Sequence, residues 1–145
     1  MKADPMLIGW ALVNFWVLGQ IWLAQWVVYP LFRRVGVAEY IGYHRFYAQR
    51  IPLPVIVPGF ASFVLPVPLA IFGPALPAWM HAANIGLGLV GLVVTVALEI
   101  PRHDRLERDG KDDAVIAELI RYNWPRTLSI TLQAGVTAAM LAHAG

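Results

Sequence analysis

Long apolar stretches separated by short polar segments run through the whole chain. The uncharged or nearly uncharged stretches cover residues 6–32, 51–72, 79–100 and 124–144. A hydrocarbon core about 30 Å thick is crossed by roughly 20 helical residues, so each stretch is long enough to span a bilayer. The pattern predicts an all-α integral membrane protein, in which residues 1–145 form one antiparallel four-helix transmembrane bundle.

A shorter, more polar segment follows the first predicted span. From Val37 to Arg50 the chain is too short and too polar to cross a membrane, and its aromatic residues recur every three or four positions. These residues are Tyr40, Tyr43, His44 and Tyr47. The spacing predicts a short amphipathic helix at the membrane interface, with its aromatic face either forming an interfacial belt or covering a site.

Prolines mark the expected bends and ends of the helices. Proline removes one backbone hydrogen bond and kinks a helix, so a bend is predicted near Pro58 or Pro66. Pro101 is expected to end the third span. A separate helix is predicted from Asp112 to Tyr122, after which Asn123 would cap the fourth span, with Pro125 in its first turn.

Amide side chains interrupt the first apolar stretch. Asn14 and Gln25 fall on one face of the predicted helix, and polar groups in a lipid-embedded helix turn toward its neighbours. We expect them to make hydrogen bonds between helices. The alternative is that Gln25 lines a pocket.

Composition and charge agree with a membrane location. The chain is 59% hydrophobic and 14% charged, whereas soluble domains carry about 25% charged residues. Every lysine and arginine except Lys2 lies in residues 33–50, in residues 101–123 or at Arg126. The positive-inside rule places these two loops on the cytoplasmic side, with both termini outside, in what we expect to be a bacterial inner membrane. Basic residues at membrane edges do not indicate nucleic-acid binding.

The candidate chemistry lies between the third and fourth spans. Glu99 is a carboxylate near the hydrocarbon edge, where a charge is costly unless it is paired, hydrated or protonated. It is either a partner of Arg102, Arg126 or His103 in a structural ion pair, or a proton-transfer group. The chain has no cysteine, which excludes thiolate metal sites and cysteine nucleophiles.

A metal site is a weaker alternative. His44, Glu99 and His103 would give two imidazoles and one carboxylate, a set that suits an open iron site. No metal-binding sequence motif supports it, and the sequence does not identify a cofactor.

Three short motifs carry a family resemblance. They are Val28-Tyr29-Pro30, Ile100-Pro101-Arg102-His103-Asp104-Arg105-Leu106 and Asn123-Trp124-Pro125-Arg126-Thr127. The last resembles the N-x-x-R-T pattern of the anthrone-oxygenase-like family, small four-helix integral membrane proteins that are mostly uncharacterised. The second is similar to that family's apolar-Pro-x-Asn-x-x-Leu, with His103 in place of Asn. The resemblance implies oxidation of aromatic anthrones to quinones, as in some members, with Asn123, Arg126 and His103 as site residues.

These observations favour an oxygenase or oxidoreductase that acts on a hydrophobic aromatic or quinone-like substrate. The substrate would enter between helices, from the lipid bilayer, near the cytoplasmic edge. His103 or His44 would act as base, Arg126 and Asn123 would stabilise negative charge on oxygen, and Glu99 would set the protonation of its neighbours. Each residue also has a structural interpretation, as a helix cap, a headgroup contact or a loop hydrogen bond. The competing hypothesis is a non-catalytic accessory subunit of a larger membrane complex, and a homo-oligomer is also open.

Overall fold

The computed structural model describes residues 4–145, and these residues form helices and connecting turns without a β-strand. We number the helices in chain order. They are α1 Pro5–Phe32, α2 Tyr40–Arg50, α3 Pro52–Val64, α4 Pro66–Phe72, α5 Ala78–Asp109 and α6 Asp113–Ala144.

Two of these helices, α1 and α5, are long and apolar enough to cross a membrane. The bent pair α3 and α4 would supply a third crossing if it is a single broken span. The bend between them is 45°, so the predicted kink is confirmed at Pro66. The predicted fourth span, residues 124–144, lies within α6, which is not among these candidates. Its polar side chains are turned inward: Asn123, Thr127, Ser129, Gln133 and Thr137 are all buried.

Helix α6 corrects the prediction of a new helix at Asn123. The helix starts earlier, where the Asp112 carboxylate accepts hydrogen bonds from the backbone N–H groups of Ala114 and Val115, at 2.9 and 3.2 Å. It then runs without interruption through Asn123 and Pro125. A break there would leave several unpaired backbone groups in an apolar setting, whereas Pro125 removes only one donor. Asn123 is therefore a buried residue in the middle of a helix, and its side chain is free to contact other helices.

Three wider, π-helical turns replace regular α-helix at particular prolines. They cover Ala24–Val28, Pro52–Ile56 and Thr95–Glu99. Each ends two residues before a proline, namely Pro30, Pro58 and Pro101. A proline ring clashes with the carbonyl four residues earlier, and a wider turn accommodates the ring without ending the helix. The expectation that the helix stops at Pro101 is therefore wrong, since α5 continues to Asp109.

At two prolines, a side chain from another helix donates a hydrogen bond to the backbone carbonyl that the proline leaves without a donor. Pro58 has no N–H to donate to the Pro54 carbonyl, and the Trp16 indole N–H donates to that oxygen at 2.8 Å. Pro66 likewise leaves the Ser62 carbonyl without its usual partner, and the Gln133 side-chain amide donates to it at 3.2 Å. Neighbouring helices thus compensate the backbone at two of the proline positions.

The predicted hydrogen bonds between helices are confirmed for Asn14 and Gln25 of α1. Asn14 donates to the Gln133 side-chain oxygen at 3.1 Å. Gln25 donates to the Ile120 carbonyl at 3.1 Å and accepts from the Asn123 amide at 2.8 Å. These contacts fix α1 against α6 at two levels and orient Asn123.

Apolar packing occurs in three buried clusters along the helices. One joins Leu7, Trp10, Leu69, Met80 and Met140. The second joins Val17, Ile21, Phe63 and Ile130. The third joins Tyr29, Phe32, Tyr40, Leu106, Val115, Ile116 and Leu119. Between the second and third clusters lies a cavity.

Candidate functional site

A largely apolar cavity of about 360 Å³ opens between α1, α2, α3, α5 and α6. Its walls include the aliphatic and aromatic side chains Val17, Ile21, Ile51, Val55, Phe60 and Phe63. Polar side chains gather at one end of it, namely Tyr29, Thr95, Glu99, His103 and Arg126. Protein sites that bind small molecules are typically apolar, with a few convergent polar groups.

All three π-helical turns of the described chain border this cavity. Ala24 comes from the first turn, Val55 from the second and Glu99 from the third. A π-helical turn adds a residue to the helical circuit and shifts the side chains that follow it, and such turns are frequent at functional sites. The prolines therefore shape the cavity from three sides.

Two histidine side chains contact each other beside the polar end of the cavity. The Nε2 atom of His44 lies 3.1 Å from Nδ1 of His103. The other ring nitrogen of His103 lies 3.4 Å from the hydroxyl oxygen of Tyr29. One of the two facing nitrogens must carry the shared proton, so the state of His44 sets which nitrogen of His103 is free to accept one.

Arg126 is held by three neighbours. Its Nε donates to Asn123 Oδ1 at 2.8 Å, its Nη1 to Thr95 Oγ1 at 3.2 Å, and its Nη2 to the Tyr29 hydroxyl oxygen at 3.0 Å. A guanidinium carries five N–H donors, so donors remain for a ligand after these contacts. The arrangement fixes a cation at the polar end of an apolar cavity.

Glu99 lies beside this cation and is 1% exposed. Its Oε2 atom is 4.0 Å from Arg126 Nη2. Within residues 4–145 neither carboxylate oxygen has a hydrogen-bond partner. The two groups are thus close enough for a charge interaction, without the hydrogen bonds that usually accompany a buried carboxylate.

Helix α2 carries His44 and covers His103. This agrees with the interpretation in which the aromatic face of α2 covers a site. The ring of Tyr47 stacks on His103 with their centroids 6.0 Å apart, and Phe32 packs edge-on against His44 at 5.5 Å. Burial lowers the pKa of His44 from its ordinary value, and the charge of Glu107 partly opposes this. Burial raises the pKa of Tyr47, so both side chains are neutral near pH 7.

Four of the five predicted site residues, His44, Glu99, His103 and Arg126, line the same cavity. The fifth, Asn123, is fully buried outside the lining and touches the site only through Arg126. Gln25, whose alternative role was to line a pocket, instead holds Asn123.

Two residues of the network were not predicted. Tyr29 joins His103 to Arg126, and Thr95 accepts from Arg126. Tyr29 stands in the Val-Tyr-Pro motif at the end of the first span, which was the available signal. The sequence gave no functional signal for Thr95, because its position four residues after Gly91 is explained equally well by close helix packing.

Among residues 4–145 no group of three or more histidine, aspartate and glutamate side chains is arranged to hold a metal ion. The described residues therefore give no geometric support to the alternative iron site at His44, Glu99 and His103. The facing nitrogens of the two histidines are hydrogen-bonded to each other, so they do not converge with Glu99 on one point.

No protein-family model, no curated protein and no solved structure matches the chain, so the geometry of the cavity carries the functional inference.

Proposed function

We propose that the chain is a small membrane oxidoreductase that oxygenates a hydrophobic aromatic or quinone-like substrate. The observation that carries this proposal is the apolar cavity with His103, Tyr29 and Arg126 joined at its polar end. A flat, hydrophobic molecule with one carbonyl oxygen suits both parts of the cavity. The motifs that resemble the anthrone-oxygenase-like family support the same class of reaction, and we propose that the chain belongs to that family.

The chemistry follows from the positions of the side chains. A methylene group that bridges two aryl rings, across the central ring from a carbonyl conjugated with both, is a carbon acid, and neutral His103 would take one of its protons. The negative charge then moves to the carbonyl oxygen, where the spare N–H groups of Arg126 would stabilise it. Molecular oxygen is the oxidant: one oxygen atom becomes the new ketone, and the other leaves as water with the two methylene hydrogens.

The same proposal assigns roles to the remaining residues. His44 fixes His103 through the 3.1 Å hydrogen bond, so it is a positioning residue. Asn123 and Thr95 orient Arg126, and Glu99 balances its charge. No metal or organic cofactor enters this scheme.

We further propose four membrane crossings in antiparallel order, with loops 33–50 and 101–123 cytoplasmic and both termini outside. The support is that the buried polar face of α6 meets α1 and α5, which would let α6 cross as the fourth span. The absence of cysteine allows a direct test by single substitution. In a bacterial inner membrane, Glu39→Cys should react with an impermeant maleimide only after cell lysis, and Ala144→Cys in intact cells. The opposite pattern would invert the topology.

The activity is tested with the purified protein in lipid nanodiscs and a hydroxylated anthrone as substrate. Quinone formation is followed by absorbance and oxygen uptake with an electrode. We expect one oxygen molecule consumed per quinone formed, and losses of about 100-fold or more in His103→Ala and Arg126→Ala. Unchanged turnover in both variants would refute the assignment. Stoichiometric co-purification with other membrane proteins, together with no turnover, would favour the accessory-subunit hypothesis.

A further inference from the structure

Carboxylates outnumber guanidinium groups among the residues that line the cavity. Arg126 is the one guanidinium among the lining residues of the described chain, whereas three carboxylates, Glu99, Asp104 and Glu107, line the same space. Arg102 of α5 is paired with Glu118 at 3.0 Å and does not line the cavity.

The carboxylates occupy two different positions. Glu99 is buried behind the polar end, 4.0 Å from Arg126 Nη2. Asp104 is exposed and Glu107 is half-buried, and across residues 4–145 neither forms an ion pair. Because charge interactions are strong in an apolar setting, ionised Glu99 at this distance would balance the cation of Arg126 before any ligand arrives.

From this arrangement we infer that Glu99 determines which ligands the cavity accepts: it neutralises Arg126, so the site takes a neutral carbonyl group and rejects a carboxylate. A ketone or quinone oxygen needs only the spare N–H donors of Arg126. A fatty acid or other lipophilic carboxylate would bring an additional negative charge beside Glu99 and past Asp104 and Glu107. In a bilayer, where lipophilic anions are abundant, this charge balance would keep the cavity free for its substrate.

This inference rests on the proposed function in taking the cavity as the ligand site, but it is tested by binding alone. Acetylanthracene and anthracenecarboxylate have the same ring system and differ in the charge of the head group. Binding of each probe is measured by equilibrium dialysis at neutral pH, with the full chain in phosphatidylcholine nanodiscs and empty nanodiscs subtracted.

We expect the unmodified protein to favour the ketone over the carboxylate by at least about tenfold. In Glu99→Gln the affinity for the carboxylate should rise at least about tenfold, and that for the ketone should change less than about threefold. The comparison between variants cancels the different partitioning of the two probes into lipid. Glu118→Gln is the matched control, because it removes a carboxylate that lies outside the cavity, and it should leave the ratio unchanged.

Asp104→Asn with Glu107→Gln is the second variant, since it alters the more exposed end of the cavity and leaves the buried pair intact. It should shift the preference in the same direction by a smaller factor. Equal binding of both probes by the unmodified protein would overturn the inference, and so would an unchanged ratio in Glu99→Gln. If neither probe binds, the cavity is not a ligand site and the inference is wrong. A shifted ratio without any anthrone turnover would keep the charge balance and refute the oxygenase.

Discussion

The Nε2 atom of His44 and the Nδ1 atom of His103 lie 3.1 Å apart, although the two residues come from different helices and 59 positions apart in the chain. His44 is buried in α2 and His103 stands in the last turns of α5. Because this contact orients the ring that faces the cavity, α2 takes part in the site without lining most of it.

The first prediction concerns this contact. His44→Leu removes the hydrogen bond and should lower kcat by about 10- to 100-fold with little change in KM, because the substrate does not need His44 to bind. His44→Gln keeps a side-chain amide that can bond to His103 and should recover part of the loss. Steady-state oxygen uptake by the nanodisc-embedded protein gives both constants.

His143→Leu serves as the control for this pair, since His143 is exposed near the end of α6. It should behave as the unmodified protein. Equal losses in His44→Leu and His44→Gln would contradict the positioning role and leave only a packing role for His44.

The second prediction concerns stability at low pH. Burial holds the pKa of His44 below its ordinary value, so the unfolded chain takes up this proton at about pH 6.5 and the folded chain only at lower pH. Between these two values the unfolded state binds more protons, and stability falls as the pH is lowered. The melting temperature, followed by tryptophan fluorescence in detergent, should therefore drop below about pH 6.5, and less steeply in His44→Leu. A variant that loses stability as steeply as the unmodified protein would show that His44 is not the responsible group.

The third prediction uses empty space beside a glycine. Gly59 lines the cavity, and apart from the adjoining residues and its own helix backbone nothing lies within 4 Å of a Cβ atom built there. Gly59→Leu should therefore fold normally, fill part of the cavity and reduce acetylanthracene binding at least about tenfold. Gly19→Leu is matched to it, because Gly19 also has free space around its Cβ position and lies on the exposed side of α1. Equal binding by the two variants would mean that the ligand lies elsewhere.

The helical class and the polar contacts between helices followed from the sequence, because apolar length and the spacing of Asn14 and Gln25 are local signals. The bend at Pro66 was also predictable, since proline acts on its own helix. What could not be predicted is how the chain continues through a proline. Both Pro101 and Pro125 were expected at helix ends, yet a wide turn before the first and contacts of Asn123 around the second keep these helices continuous.

The site was predictable in its residues more than in its geometry. Polar residues in an apolar chain are few, so His44, Glu99, His103 and Arg126 stood out from composition alone. The partner of Glu99 was left open among Arg102, Arg126 and His103, because the choice depends on how different helices pack; the structure places Glu99 4.0 Å from Arg126. The metal alternative lacks geometric support for the same reason: residue types can suggest a ligand set, but only the packing of helices decides whether their atoms converge.

The fourth prediction concerns the carbonyl of Ser62, which Pro66 leaves without a backbone donor. Gln133 donates to this oxygen at 3.2 Å and to the Asn84 carbonyl at 3.0 Å. Gln133→Leu should destabilise the fold by about 1–3 kcal/mol, since buried carbonyl groups would lose their partner. In a Pro66→Ala background the alanine N–H can bond to Ser62, so the same substitution should cost less, by about 1 kcal/mol. Denaturation in mixed detergent, analysed as a double-mutant cycle, measures this difference. Additive losses would show that Gln133 does not compensate for Pro66, and that its contacts with Asn14 and Asn84 account for its whole effect.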